Sequence, residues 1–322
     1  MKYKSWLILA ASLVLASLLS GVGGTRAYYN DSEMSASNHF VAWVSSLWSQ
    51  TTQNDFNTGI LINTDTSASP GDVQLNTTTI TLGNSDNDAG ATTVENAVHS
   101  QIDSFAMVPC NGEIVSWTYY NAGTTSTGAV LEFLSGSNTS WTMMAKSNAV
   151  TITGTNTFNV SIPVQAGWQL GMYSGSGELK YDSTNGTLSG RAADTGDFNI
   201  GINKADFSQS TGHLALTATL QYYYSSGTLA SQVLDTGANG AAWDALCRDE
   251  TLPSGTNITF KVRASNTMFT KDAVTPAWVS VGSTSPVISG LPSGRYKQWQ
   301  VTLTTTDTSN TPTLHGVRVY YH

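Results

Sequence analysis

The stretch His213-Leu214-Ala215-Leu216-Thr217-Ala218-Thr219-Leu220-Gln221-Tyr222 decides the fold class. Leu214, Leu216, Ala218, Leu220 and Tyr222 take every second position, and His213, Ala215, Thr217, Thr219 and Gln221 fill the gaps. Successive side chains of a strand point to opposite faces, so this spacing sends one face to a core and the other to water. The same period governs Phe158, Val160, Ile162 and Val164, which alternate with polar residues and Pro163. It governs Ile258, Phe260, Val262 and Ala264 against Thr259, Lys261 and Arg263, and Trp299, Val301 and Leu303 against Gln300, Thr302 and Thr304. Clusters of Gly, Asn, Asp and Ser separate these runs, as hairpin connections do. After the leader, no segment sustains a 3.6-residue pattern. Phe40, Trp43, Val44 and Leu47 allow one short helix across Ser37–Trp48, or an extended segment. Antiparallel sheets with one wet face carry this signature. The expected fold class is all-β: two antiparallel, jelly-roll-like β-sandwiches.

Composition narrows the function classes. The 322 residues are 40% hydrophobic and only 11% charged, with a formal net charge of −8. Thr and Ser supply roughly a quarter of the chain, above average usage. A net-negative chain without basic clusters is a poor nucleic-acid partner, because phosphate contacts need Lys and Arg. Aromatic residues at 10% argue against disorder along the whole chain. The Ala/Glu/Lys/Leu/Arg enrichment of long-helix proteins is missing.

The first 27 residues have the layout of a cleaved secretory signal. Lys2 and Lys4 precede an apolar run from Trp6 to Leu19, and small residues lead to Thr25-Arg26-Ala27. The run is short for a bilayer span, which takes about 20 residues. An uncleaved N-terminal anchor is the alternative, and it is the one route to a membrane contact. Removing residues 1–27 deletes Lys2, Lys4 and Arg26 and no acid, leaving 11 bases against 22 acids. An extracellular location is therefore expected. There a bridge between Cys110 and Cys247 is chemically permitted, but it needs Cα atoms within about 7 Å, and a place in different domains favours two buried or isolated thiols. Six Asn-x-Ser/Thr triplets occur, at Asn30, Asn76, Asn138, Asn159, Asn185 and Asn257, as expected by chance in a chain of this composition.

Two low-hydrophobicity stretches mark boundaries: Asn84-Ser85-Asp86-Asn87-Asp88-Ala89-Gly90 and Tyr224-Ser225-Ser226-Gly227. They divide the mature chain into an N-terminal segment (28–95), a first sandwich (96–222) and a C-terminal sandwich (223–322). No repeat of 20–50 residues appears, which disfavours a solenoid or propeller.

Two resemblances add to this reading. Gly23-Gly24-Thr25-Arg26-Ala27-Tyr28-Tyr29-Asn30-Asp31-Ser32-Glu33, followed by Ser35-Ala36-Ser37-Asn38-His39-Phe40, resembles the start of camelysin/TasA-type proteins with a SipW-type signal. The resemblance implies surface or biofilm-matrix placement and, in some members, polymerisation by donation of the N-terminal strand, here residues 28–40. The second is carried by Trp48, Thr51-Thr52-Gln53-Asn54-Asp55-Phe56, Gly59, Asn63-Thr64-Asp65 and Pro70-Gly71-Asp72-Val73. Its other half is Leu234-Asp235-Thr236-Gly237, Trp243, Leu252-Pro253-Ser254-Gly255-Thr256, Val262-Arg263-Ala264-Ser265, Leu291-Pro292-Ser293-Gly294-Arg295-Tyr296 and Thr311-Pro312 to Val317. These halves are similar to one galactose-binding or discoidin-like jelly-roll module of archaeal and bacterial surface proteins. The resemblance implies that residues 96–222 are inserted between them and that residues near 48–82 pack with the C-terminal domain. Within the insertion, Val164-Gln165-Ala166-Gly167-Trp168-Gln169-Leu170-Gly171 resembles a strand pair of secreted jelly-roll domains, with Trp168 where those carry Asp.

Catalytic motifs are missing from the sequence. His39, His99, His213, His315 and His322 form no HExxH and no ligand spacing. No Gly-x-Ser-x-Gly elbow, Ser-x-x-Lys pair or phosphate-binding glycine loop is present. Glycoside hydrolysis needs two facing carboxylates, and Glu113, Glu132 and Glu178 read as ordinary strand or turn residues. A calcium site is suggested by Asn84, Asp86, Asp88 and, at the twelfth position, Glu95, since calcium takes oxygen ligands on a flexible loop. Ala89 stands where an EF-hand loop requires glycine, so a solvated linker explains the same residues. Asp86, Asp88 and Glu95 are the metal candidates. Trp243, Trp278 and Tyr296, set among loop-like residues, are the candidates for stacking a sugar ring.

The sequence thus predicts a secreted, non-enzymatic protein of the cell surface or extracellular matrix. Adhesion or scaffolding is its expected task, with weak glycan binding, toward a surface or matrix polysaccharide or protein. A fibre subunit that self-associates through residues 28–40 and a secreted glycan-active hydrolase are the alternatives.

Overall fold

The computed structural model describes residues 45–85, 92–96, 100–137, 139–175, 178–192, 198–205 and 207–322. The leader, residues 28–40, Asp86 and Asp88 lie outside the described residues.

Alternation yields strands almost throughout. The chain begins with β1 (Ser46–Gln50), the single-turn helix α1 (Gln53–Asn57), β2 (Ile60–Ile62), β3 (Thr64–Asp65) and β4 (Gln74–Leu75). It continues through β5 (Thr77–Gly83), β6 (Thr92–Asn96), β7 (Ser100–Met107), β8 (Gly112–Ser137), β9 (Ser140–Lys146), β10 (Val150–Val164), β11 (Gln169–Tyr173), β12 (Glu178–Ala192), β13 (Asn203–Lys204), β14 (Phe207–Leu214) and β15 (Leu216–Tyr223). It closes with β16 (Ser226–Ala230), β17 (Leu234–Asp235), β18 (Trp243–Thr251), β19 (Thr256–Ser265), β20 (Val279–Ser280), β21 (Tyr296–Thr305) and β22 (Thr313–Tyr321). The protein is all-β, with antiparallel sheets packed as sandwiches.

Two large cores organise these strands, and a smaller cluster of Ile102, Leu134, Trp141, Met143, Phe198 and Phe207 adds a third among the described residues. The first lies inside β5–β15 and centres on Trp117, Tyr119, Phe133, Leu170, Leu216 and Leu220, all buried. One of its sheets runs β5, β15, β8, β10. The other contains β9, β8, β11, β7, β12 and β14. The 26-residue β8 serves both: its first part pairs with β10 and β15, its last part with β9 and β11. Just before the changeover, at the irregularity between the Ser126 and Ala129 pairings with β10, Gly128 takes φ +69°, a conformation side chains rarely adopt.

The second core gathers Trp299, Val301, Leu303, Phe260, Val262, Leu314 and Val319 from the C-terminal strands. It also takes Phe56, Val73 and Leu75 from the start of the described chain. β1 adds to the edge of β22, with Trp48 opposite Val319. β2 adds to β16, with Leu61 opposite Leu229. Val73 and Leu314 exchange both backbone hydrogen bonds, at 2.8 and 2.9 Å. Residues 46–75 therefore belong to the sheets of 226–321, whereas β5, only two residues beyond β4, pairs with β15 and joins the first core. The chain crosses between the cores at Asn76 and again at Tyr224, where the Tyr224 N–H donates to the Asn76 carbonyl at 3.0 Å. A second seam joins Asn111 to the loop after β21: Asn111 Nδ2 donates to Asp307 (3.0 Å) and the Thr308 hydroxyl to the Asn111 carbonyl (2.6 Å).

Local chemistry explains α1. Thr52 caps it: the Asp55 N–H donates to the Thr52 hydroxyl, and the Asp55 carboxylate accepts from the Thr52 N–H at 2.9 Å. Lys271 Nζ donates to the Thr58 and Gly59 carbonyls just beyond its end (2.8 and 3.1 Å). Of the two readings offered for Ser37–Trp48, residues 46–48 take the extended one, as part of β1, and 37–44 lie outside the described residues.

Cys110 and Cys247 are both free. Burial pushes the Cys247 thiol up, outweighing the pull of Arg318. Reducing agent is expected to leave the thermal midpoint unchanged, and mass analysis of the alkylated, denatured protein to find both thiols reactive.

Candidate functional site

Trp243 opens β18, Tyr296 opens β21 and Trp278 lies in the loop before β20, and each ring already faces a cation of this chain. Trp278 lies against the Arg263 guanidinium, at 4.3 Å, with Phe269 on the same guanidinium at 4.7 Å. Lys297 Nζ sits 5.2 Å from the Trp243 ring centre, and Arg295 lies 5.2 Å from that of Tyr296. Such pairs gain strength when desolvated. Trp243 is 6% exposed, so its ring is not available to a sugar, contrary to the expectation from its loop-like surroundings. Trp278 and Tyr296 are half-buried.

Arg263 departs from its expected place on the wet face of β19: it is 1% exposed. The reason is the loop 266–278, which folds over that face. The Arg263 side chain donates to the Ala273 carbonyl (2.5 Å), the Lys271 carbonyl (3.2 Å) and, across the ladder, Gln298 Oε1 (2.8 Å). Gln298 stands opposite Arg263 in the β19–β21 register and passes its amide hydrogens to the Ser231 and Lys271 carbonyls. A planar five-donor group suits this task, since one side chain satisfies several loop carbonyls that burial would otherwise strand. The loop so held presents Met268 and Val274 to solvent.

Lys297 is also buried. Its ammonium donates to the Ala241 carbonyl at 2.6 Å, and burial depresses its pKa from 10.5 to about 8, against the pull of Asp244. In this window the folded state binds fewer protons than the unfolded chain. Stability is therefore expected to rise from about pH 8 to 10.5 on this account, the charged lysine being the unfavourable form below it. Lys297→Met is expected to abolish that rise, measured as the denaturant midpoint at about pH 7 and about pH 10. An unchanged rise in the variant would contradict the assignment.

Arg295 is exposed and forks onto Asp235 at 2.7 and 2.9 Å, which holds that carboxyl below its usual range. This surface pair orders the loop but contributes little to stability.

The metal candidates are not brought together among the described residues. Asp86 and Asp88 lie outside them, and Glu95 sits in β6 opposite Leu179 of β12. No group of three His, Cys, Asp or Glu with metal-binding geometry occurs among the described residues. Of the three glutamates considered for glycoside hydrolysis, Glu132 is fully buried, Glu113 accepts from the Ser161 hydroxyl, and Glu178 opens β12.

One further constellation matches no sequence motif. His315 Nδ1 lies 2.7 Å from Asp72 Oδ1, and its Nε2 lies 2.9 Å from the Thr251 hydroxyl. Burial raises the Asp72 carboxyl, but bonds from Ser69 and His315 outweigh it, so its pKa falls below the usual value. The residues lie far apart in sequence, and none sits in a known motif. The one sequence signal for the contact was the expectation that residues near 48–82 pack with the C-terminal domain, since Asp72 lies in the first stretch and His315 in the second.

No protein-family model, no curated protein and no solved structure matches this chain.

Proposed function

We propose that this chain is a secreted cell-surface or extracellular-matrix protein whose task is adhesion or scaffolding through its outer sheet faces. One observation carries the reading: the outer face of the sheet β5–β15–β8–β10 is dominated by uncharged polar side chains, with Glu113 as the acid in the row of Thr79 and Gln221. One row across the four strands is Thr81, Thr219, Ser116 and Asn159. The next sets Thr118 beside Thr157, with Thr217 buried and Gly83 bare at its other end. Neighbouring hydroxyls are fixed to one another, as between Thr118 and Thr157 at 2.8 Å. Thr79, Thr81, Thr157 and Asn159 are exposed. Strand spacing of about 4.8 Å sets hydroxyls side by side at distances suited to a hydroxyl-rich polymer chain. The acidic net charge keeps such a protein soluble and disfavours anionic partners.

The test is retention on neutral polysaccharides. Replacing Thr81, Thr157 and Asn159 with Lys is expected to abolish retention by the mature protein while the thermal midpoint holds. Absence of retention on every polysaccharide tried would remove the glycan part of the reading.

A fibre subunit is the second reading, and β10 favours it. This 15-residue strand pairs, among the described residues, only with β8. Its other edge is a template for another strand. Filaments of the mature protein that vanish on deletion of residues 28–40 are expected on this reading, and persistent monomers in electron micrographs would refute it.

A further inference from the structure

Residues 72–74 run beside β22, and the narrow Val73–Leu314 pair turns Asp72 and His315 to the face opposite Val73 and Leu314. The β18–β22 register slips between Asp249 and Glu250, and His315 is the extra residue at that slip. Bulges of this kind re-aim side chains. Here the imidazole reaches Thr251 at the end of β18, 2.9 Å from its hydroxyl. Asp72 holds the other nitrogen at 2.7 Å and is itself held by the Ser69 hydroxyl at 2.7 Å. A carboxylate only accepts, so Nδ1 carries the hydrogen and Nε2 is left to accept from Thr251. A hydroxyl on a base, with the base oriented by a third group, is the arrangement that activates a nucleophile. Thr251 is exposed, and Leu252 beside it is 44% exposed, an apolar seat next to the hydroxyl. Thr313 pairs with Thr251 across the ladder and accepts from Gln74 Nε2 at 3.0 Å. That bond turns its own hydroxyl hydrogen away from Gln74.

We propose that Thr251 is a nucleophilic hydroxyl that takes the acyl group of small esters, with His315 as its base and Asp72 as the positioning residue. The inference is independent of the adhesive reading. Thr251 Oγ attacks the ester carbonyl carbon and its proton passes to His315 Nε2. The bond from that carbon to the alkoxy oxygen breaks, and the leaving oxygen takes the proton from His315 to depart as an alcohol. Water then attacks the threonyl ester and gives a proton to His315. The carboxylic acid leaves as Thr251 Oγ recovers the proton. No electrons change owner. Esters are the fitting class because an alkoxide leaves far more readily than an amine anion, and the β-branched threonine attacks from a crowded oxygen.

The experiment uses the full chain with p-nitrophenyl acetate and a fluorophosphonate probe. The expected results are a probe adduct on the peptide holding Thr251 and p-nitrophenol release about 10²-fold above Thr251→Val. His315→Ala is expected to lose both, Thr251→Ser to keep both, and Asp72→Asn to lower kcat with KM unchanged. Thermal melts establish that each variant is folded. No adduct at Thr251, or equal release from folded Thr251→Val, overturns the proposal. Intact kcat in Asp72→Asn overturns the role given to Asp72.

Discussion

Arg263→Ala is expected to destabilise the fold by about 3–5 kcal/mol, because several buried hydrogen bonds to a charged group are lost, each worth about 1.5–3 kcal/mol and not fully additive. The side chain is 1% exposed and donates to Ala273, Lys271 and Gln298. Its removal leaves those acceptors inside without donors, and a stranded buried acceptor costs about 1–3 kcal/mol. It also opens a gap between Phe269 and Trp278, which now share the guanidinium. Arg263→Lys is expected to recover only part of the loss, because an ammonium cannot fork to several carbonyls in one plane. Denaturant midpoints at constant slope read the effect. Proteolysis is expected to appear within residues 266–278 in the alanine variant first. A loss below about 1 kcal/mol would show the arginine to be a surface group, contrary to the structure.

Removal of residues 1–75 is expected to have a larger effect still. Phe56, Val73 and Leu75 are buried in the second core at 1% exposure or less. Each such side chain contributes about 1.5–3 kcal/mol. The truncation also strips β1 from β22 and β2 from β16, leaving two exposed strand edges. The loss is comparable with the whole stability of a typical domain, about 5–15 kcal/mol. Residues 226–322 are therefore expected to lose fixed packing, seen as lost near-ultraviolet dichroism and dye binding. Deletion of residues 1–44 spares every one of these contacts and is expected to leave the core intact. A cooperative transition retained by the longer truncation would separate residues 46–75 from the C-terminal sheets.

The strands were legible in the sequence because alternation is a local property. Ile258, Phe260 and Val262, and Trp299, Val301 and Leu303, are buried where their period places them. What covers the opposite face is not local. Arg263 reads as a wet residue, yet the loop 266–278 encloses it together with Gln298 opposite, and the Ala241 carbonyl meets the buried Lys297. Ala215 and Thr217, on the face the period assigns to water, are buried as well: alternation reports which way a side chain points, not what covers it. Trp243 and Tyr296, read among loop-like residues, are the first residues of β18 and β21, and sequence carries no sign that each aromatic ring would meet an internal cation. The Asp72–His315–Thr251 chain depended on the Val73–Leu314 pair and a one-residue register slip, both products of the assembled sheet.

Protease shaving of intact, unlysed cells, followed by mass identification of the released peptides, tests the central claim most directly. Peptides from exposed loops, such as residues 266–278, are predicted in the supernatant, with the protein lacking residues 1–27. Protection of the whole chain until lysis, with the leader still attached, would contradict a role at the cell exterior.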